Sequence, residues 1–434
     1  MWSCVGCRLF DLQATRHQEE EALEAGSMRV LAFTTVFPNP VRPQHGLFVR
    51  ERLRHCAPLA KIRVLAPRPL FPWPAMRAVP REETQLGLAV AHPAFRYVPR
   101  YGKWLDGLSL YLSALPTARR MVRDGAVDVI DAHFGYPDGF AAILLGRTLG
   151  LPVVITLRGT EPLVAAAGPW RHRTVRFALR GATRLVAVSE PLAAFARSIV
   201  AEQPGPVPPV TVIANGVDTV RFAPRPRDAA RRALGLPEDG RLIVSVGHLS
   251  PRKGFQRVLR VLPDLLGAAP DLRFAVVGGP GAEGNNEAEL RALAAAPALA
   301  GRVVFAGSRP PEQVATWLNA ADLFVLASDY EGCPNVVWEA LASGLPVVAA
   351  RVGEVPRMVP DFAGHLIGDA DDLPALRAAL AAGLAGGHDR AAIRAWAEGH
   401  GWGDVAARVL GEWEAAAAAA PRPSPAIAGQ GITA

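Results

Sequence analysis

Two glutamates, Glu331 and Glu339, are separated by seven residues in the segment Glu331-Gly-Cys-Pro-Asn-Val-Val-Trp-Glu339. The apolar run 322–326 before them reads as a buried strand, and Pro334 and Asn335 suit the entry of a helix ending at Gly344. Backbone N–H groups at a helix start lack partners within the helix, so residues 333–337 could cradle a phosphate. Glu339, expected in the first turn, can accept from both hydroxyls of a ribose. The plainer alternative is two solvated carboxylates that favour the helix dipole.

A second loop carries the opposite charge. The run 241–246 opens into Gly247-His248-Leu-Ser-Pro-Arg252-Lys253-Gly254, with a helix expected from Phe255. Arg252 and Lys253 could neutralise a departing diphosphate, unless this is an ordinary exposed turn. It is not a phosphate-binding P-loop, because G-x-x-x-x-G-K-[ST] is absent. Earlier in the chain, His133 follows the run 127–131 and can hydrogen-bond a sugar hydroxyl, assist a proton transfer, or simply hold structure. His45 and Gly46 end a Pro-rich loop, and Gly46 lets backbone approach a ligand. Leu157-Arg158-Gly159-Thr160-Glu161 offers a cation after another strand.

Such loops need rigid strands behind them. Apolar runs at 29–34, 61–66, 127–131, 152–157, 184–188 and 210–213, then at 241–246, 272–277, 302–305, 322–326 and 346–349, alternate with helical stretches. Several lack polar alternation, the mark of parallel strands covered on both faces. The fold class expected is α/β, two doubly wound Rossmann-like domains facing a central cleft where ligands meet the carboxyl ends of the strands. The boundaries expected are an extension over 1–27, either disordered or preceding a true start at Met28; a domain over 28–220; a domain over 221–400; a last helix over 401–415; and a disordered tail over 416–434. With 434 residues, half of them hydrophobic, the chain can bury large cores, and 41 Gly with 39 Pro fall short of a low-complexity composition.

The net charge of +7 suits an anionic partner without choosing one. The basic residues are dispersed and no nucleic-acid motif is present, so no nucleic-acid partner is expected. Arg50, Arg52 and Arg54, or Arg171, Arg173, Arg176 and Arg180, could form a membrane-facing surface or be solvated helix faces. Of the four cysteines, Cys4 and Cys7 have no second pair to complete a zinc site. The expected location is the cytoplasm, with a peripheral contact on the cytoplasmic membrane face as an option, since neither a signal peptide nor a long apolar span is recognisable.

Taken in order, Pro38-x-Pro40…Gly46, Ala132-His133-Phe134…Gly139, Thr156-Leu-Arg-Gly-Thr160, Val188-Ser189-Glu190, Asn215-Gly216-Val217-Asp218, Val246-Gly247…Lys253-Gly254 and Glu331-x7-Glu339 resemble the retaining glycosyltransferases of family 4, which have the GT-B fold. The resemblance runs from Met28 to about Trp413. It implies a nucleotide-diphosphate sugar on the second half, held by Gly247, His248, Arg252, Lys253, Glu331, Gly332, Cys333, Pro334, Asn335, Val336 and Glu339, with Gly46 opposite. It implies that Glu339 takes the ribose, Glu331 the transferred sugar, Arg252 and Lys253 the diphosphate, and that His133 meets the sugar near the reacting carbon. It implies a glycan or lipid-linked acceptor on the first half, beside His45, Arg158 and Glu161. No cofactor and no metal are implied, and no covalent nucleophile is assigned. His248 stands where the family often has Arg, Arg158 where many members have His, and Cys333 in place of a frequent aromatic residue. An epimerase or hydrolase using the same donor pocket, and a non-catalytic nucleotide-sugar or glycan binder, are the alternatives.

Overall fold

The computed structural model describes residues 27–70, 74–96, 105–281 and 284–419. Most of the expected N-terminal extension, with Cys4 and Cys7, and the chain after Ala419 lie outside them.

Every expected strand forms, with ends moved by one or two residues. In the first half β1 (Met28–Phe33), β2 (Ala60–Leu65), β3 (Glu82–Gln85), β4 (Leu88–Ala91), β5 (Val129–His133), β6 (Val153–Leu157), β7 (Arg184–Ala187) and β8 (Val210–Val212) make one sheet, ordered β8-β7-β6-β5-β1-β2-β4-β3. All its pairs are parallel except β3 with β4. In the second half β9 (Leu242–Val246), β10 (Arg273–Val277), β11 (Val303–Gly307), β12 (Leu323–Leu326), β13 (Val347–Ala350) and β14 (Gly364–Ile367) form a wholly parallel sheet ordered β11-β10-β9-β12-β13-β14. β5, β6 and β9 are buried along their whole length, which is why their sequences are apolar without alternation. The strand order reverses beside β1 and again beside β9, so the loops after these strands open onto a crevice.

Three strands of these two sheets were not expected from sequence, nor was the short separate pair Arg68–Pro69 with Ala94–Phe95. β3 and β4 form a hairpin whose turn, Leu86-Gly87, has positive φ at both residues, and β14 contains Gly364 and His365. Pairing with an existing sheet edge outweighs their weak intrinsic preference.

Five helices matter for the site: α1 (Leu47–Cys56), α2 (Asp106–Arg123), α3 (Phe255–Leu265), α4 (Asn335–Ala342) and α5 (Trp402–Ala419). α5 corrects the expected end at 415 and the expected disorder from 416. Trp402, Val405, Ala406, Val409, Trp413 and Ala416 make a buried stripe against Val30 and Ala32 of β1, Val49 and Leu53 of α1, and Val154 of β6. Ala416 is fully buried, so the helix gains from continuing past 415. The chain thus returns from the second half to close on the first.

Candidate active site

The basic loop after β9 is a short 3-10 turn, Pro251–Lys253, closed by Gly254 ahead of α3. Lys253 Nζ lies 2.6 Å from Glu331 Oε1, and Arg252 Nη1 lies 3.5 Å from the same oxygen. Arg252 also donates to the Tyr330 carbonyl. Glu331 is 9% exposed. Burial opposes its charge, but Lys253 and Arg252 more than offset this and hold its carboxyl below the ordinary value. The two loops singled out in the sequence therefore meet as one charged unit.

α4 follows Pro334 and starts at Asn335, as its sequence suggests, and Gly344 lies just past its end in a left-handed conformation. Glu339 is the fifth residue of α4 and belongs to its second turn, a correction to the first-turn expectation. Burial pushes its carboxyl up to about 7, with Arg221 opposing and Glu51 of α1 reinforcing the shift. Arg221 also contacts Glu51 at 3.7 Å, Asp218 at 3.5 Å and Glu312 at 3.3 Å. Cys333 is buried, and its thiol is pushed up to about 12, so it packs rather than reacts.

The first half meets this unit at backbone distance. A Cβ on Gly332 would sit 2.4 Å from the Arg158 carbonyl oxygen, so only glycine lets the loop after β12 approach the loop after β6. Gly46, which precedes α1 with φ 78°, is equally constrained: a Cβ there would lie 2.2 Å from the Val36 carbonyl oxygen. His45 lies close enough to Arg42 and His248 for both to reinforce the lowering that burial imposes on its pKa.

His133 is the last residue of β5 rather than a loop residue after it, and it is fully buried. Arg158 Nη2 donates to its Nδ1 at 2.9 Å. A guanidinium cannot accept, so the ring proton is on Nε2, which lies 3.5 Å from Asp131 Oδ2. Burial, then Arg158 and Arg52, hold this imidazole neutral, well below its ordinary pKa. Arg158 Nη1 donates to Asn215 Oδ1 at 2.8 Å, and Asn215 Nδ2 donates to Asn335 Oδ1 at 2.8 Å. A chain of polar contacts thus runs from β5 to the start of α4. Glu161, expected beside the acceptor, is also buried and instead accepts the backbone N–H groups of Gly135 at 3.2 Å, Arg158 at 3.1 Å and Gly159 at 2.9 Å. It shapes the loops from within.

Three contributors were given no place in the site by the sequence. Asn215 lay in a quoted motif, and Asp138 lay in the glycine-flanked segment after His133. Asp138 ties that segment to the loop after β1 through Thr35, whose Oγ1 is 3.0 Å away. Arg52 was read as surface charge, but it is 1% exposed and donates to Thr156 Oγ1 at 3.3 Å. Arg50 and Arg54 each pair with Glu51 at 3.2 Å, so residues 50–54 do not form the basic face considered above. Of the second basic set, Arg176 pairs with Glu202 at 2.8 Å and Arg180 donates to backbone carbonyls. Among the described residues no three His, Cys, Asp or Glu side chains converge to hold a metal, and no helix is long and apolar enough to cross a membrane.

Residues 226–398 match the family described as glycosyl transferases group 1, and residues 62–221 match glycosyltransferase family 4. The chain is 30% identical over 341 residues to a putative teichuronic acid biosynthesis glycosyltransferase, TuaC, of Bacillus subtilis, covering 76% of this chain and 82% of that one. It is 34% identical over 319 residues to a D-inositol 3-phosphate glycosyltransferase of Thermobispora bispora, covering 70% and 74% respectively. Among solved structures, sucrose-phosphate synthase of Thermosynechococcus elongatus superposes with a TM-score of 0.71 at 20% identity, over 89% of this chain and 98% of that one. HepE of Anabaena, in complex with UDP-glucose, gives 0.66 at 19% identity, over 88% and 99%.

Proposed function

The chain belongs to glycosyltransferase family 4 and has the GT-B fold, and from that premise we propose that this glycosyltransferase moves a hexosyl group from a nucleotide-diphosphate sugar to a glycan or lipid-linked acceptor, with retention and without a metal. The observation that carries the donor reading is the Lys253–Glu331 pair, flanked by Arg252 and set against the Arg158–Gly159 backbone. Lys253 and Arg252 stabilise the negative charge that grows on the departing diphosphate, the task a divalent ion would otherwise perform. The departing phosphate oxygen takes the acceptor proton on the face that it leaves, so no protein nucleophile is required. Glu339 holds the ribose, and neutral His133 fixes the wall behind the reacting sugar.

The relative named for teichuronic acid biosynthesis supports a role in surface polysaccharide or glycoconjugate synthesis. A panel of nucleotide sugars tests the donor: a true donor at about 100 times its Kd stabilises the fold by ~2.7 kcal/mol. Stabilisation by one nucleotide sugar, followed by acceptor-dependent sugar transfer, is the expected result. Donor conversion of equal rate without acceptor would instead establish an epimerase or hydrolase, and binding without turnover a sugar-nucleotide binder.

A second reading concerns placement. Leu105, just before α2, and Leu108 and Leu112 within it are spaced along one face, and with Leu163 and Trp170 they are large apolar side chains left exposed. Arg173 is exposed beside Trp170. This mixture supports a peripheral contact with an anionic membrane from the cytoplasmic side. Flotation with phosphatidylglycerol vesicles, lost in L108S/L112S, would support the contact; equal recovery with phosphatidylcholine vesicles alone, or none with either, would exclude it.

A further inference from the structure

A cavity of about 320 Å³ opens in the first half at the carboxyl ends of β1, β2, β4 and β5. Its chemistry is uneven. Phe37, Met76 and Phe95 supply apolar wall, and all three are nearly fully buried. Arg42, Arg68 and Arg171 supply three guanidinium groups from three separate segments, against one carboxylate in the lining, Asp106. Cations are costly to gather in a part-buried space unless an anion joins them.

Arg68 makes the case most directly. One of its Nη atoms is bonded to the Met76 carbonyl, while its Nε is buried without a hydrogen-bond partner. Burial and Arg81 both lower its pKa, a cost that a bound anion would reverse. The cavity also reaches the donor loops. His45 lines it and lies near His248, and Tyr136 lines it three residues after His133. A molecule seated there is next to the junction of the two halves.

We propose that the acceptor is anionic, carrying a phosphate or carboxylate group held by Arg68, Arg171 and Arg42, with its sugar ring against Phe37 and Phe95. Guanidinium groups suit both anions because each can take two oxygens at once. The proposal rests on the transferase reading, since it assigns the acceptor of that reaction.

The test uses the full chain and two matched pairs of probes, myo-inositol 1-phosphate with myo-inositol and D-glucuronate with D-glucose. Binding is measured calorimetrically with the chain saturated in UDP, which occupies any diphosphate site. One anion is expected to bind about tenfold or more tightly than its neutral partner, and R68Q and R171Q should each weaken it by about tenfold without altering UDP binding. Preference for the phosphate pair or for the glucuronate pair tells which group the acceptor bears. Equal binding of charged and neutral probes, or unchanged anion binding in both variants, would overturn the proposal. Anion binding seen only when UDP is omitted would overturn it too, because the probe would then be occupying the diphosphate site. A chain that binds no nucleotide at all would instead sink the transferase reading beneath it.

Discussion

Replacing Lys253 by Met keeps most of the side-chain volume and removes the ammonium group. Two consequences follow from its position 2.6 Å from Glu331, and they separate experimentally. If the ammonium stabilises charge developing on the leaving diphosphate, its loss should lower kcat by about 100- to 1,000-fold, or ~2.7–4 kcal/mol of barrier. Independently, Glu331 keeps Arg252, at 3.5 Å, as its remaining cationic partner while staying 9% exposed. Its carboxyl should then rise in pKa, because Lys253, the largest influence opposing burial, is gone. In the native chain a depressed Glu331 contributes stability above the unfolded carboxyl pKa, and this is lost as pH falls through the lower folded value. The variant should lose that contribution and melt earlier at neutral pH. The assay is single-turnover transfer with a donor found by the nucleotide-sugar panel, on K253M, E331Q and the double variant. Should Lys253 serve only to neutralise Glu331, K253M would cost nothing in the E331Q background. A further drop of tenfold or more in that background is expected, and its absence would refute the charge-stabilising role.

Three further outcomes are expected. G332A places a Cβ 2.4 Å from the Arg158 carbonyl oxygen, so it should destabilise by about 1–3 kcal/mol in urea unfolding and lower kcat/KM by forcing the two loops apart. Glu339 has a raised folded pKa, so the native state holds its proton more tightly than the unfolded chain. Stability should therefore fall as pH rises from about 4.5 to about 7, and E339Q should flatten that slope in urea titrations at several pH values. W413A removes a fully buried indole from the contact between α5 and the first sheet and should cost ~3–5 kcal/mol in chemical unfolding, with Gly411→Ala on the same helix a near-neutral control.

The sequence alone determined the two sheets, most of their strands and the loops that carry Arg252, Lys253, Glu331 and Glu339. These features are local: a parallel strand is a short apolar run, and the loop chemistry follows directly after it. What tertiary structure decided is which charges those loops present. Arg52 and Arg54 lie two residues apart in one helix, yet one is sealed beneath the sheet and the other pairs with Glu51 near the surface. Glu161 resembled an acceptor ligand in the sequence and proves to hold three backbone amides. His133 owes its neutral state first to burial and then to Arg158, 25 residues away, which also sets its tautomer, and Arg158 is fixed in turn by Asn215, 57 residues further on. A side chain's charge depends on what lies within a few ångströms of it. Periodicity along the chain reports the face on which a residue lies, but not the partner that folding brings to that face.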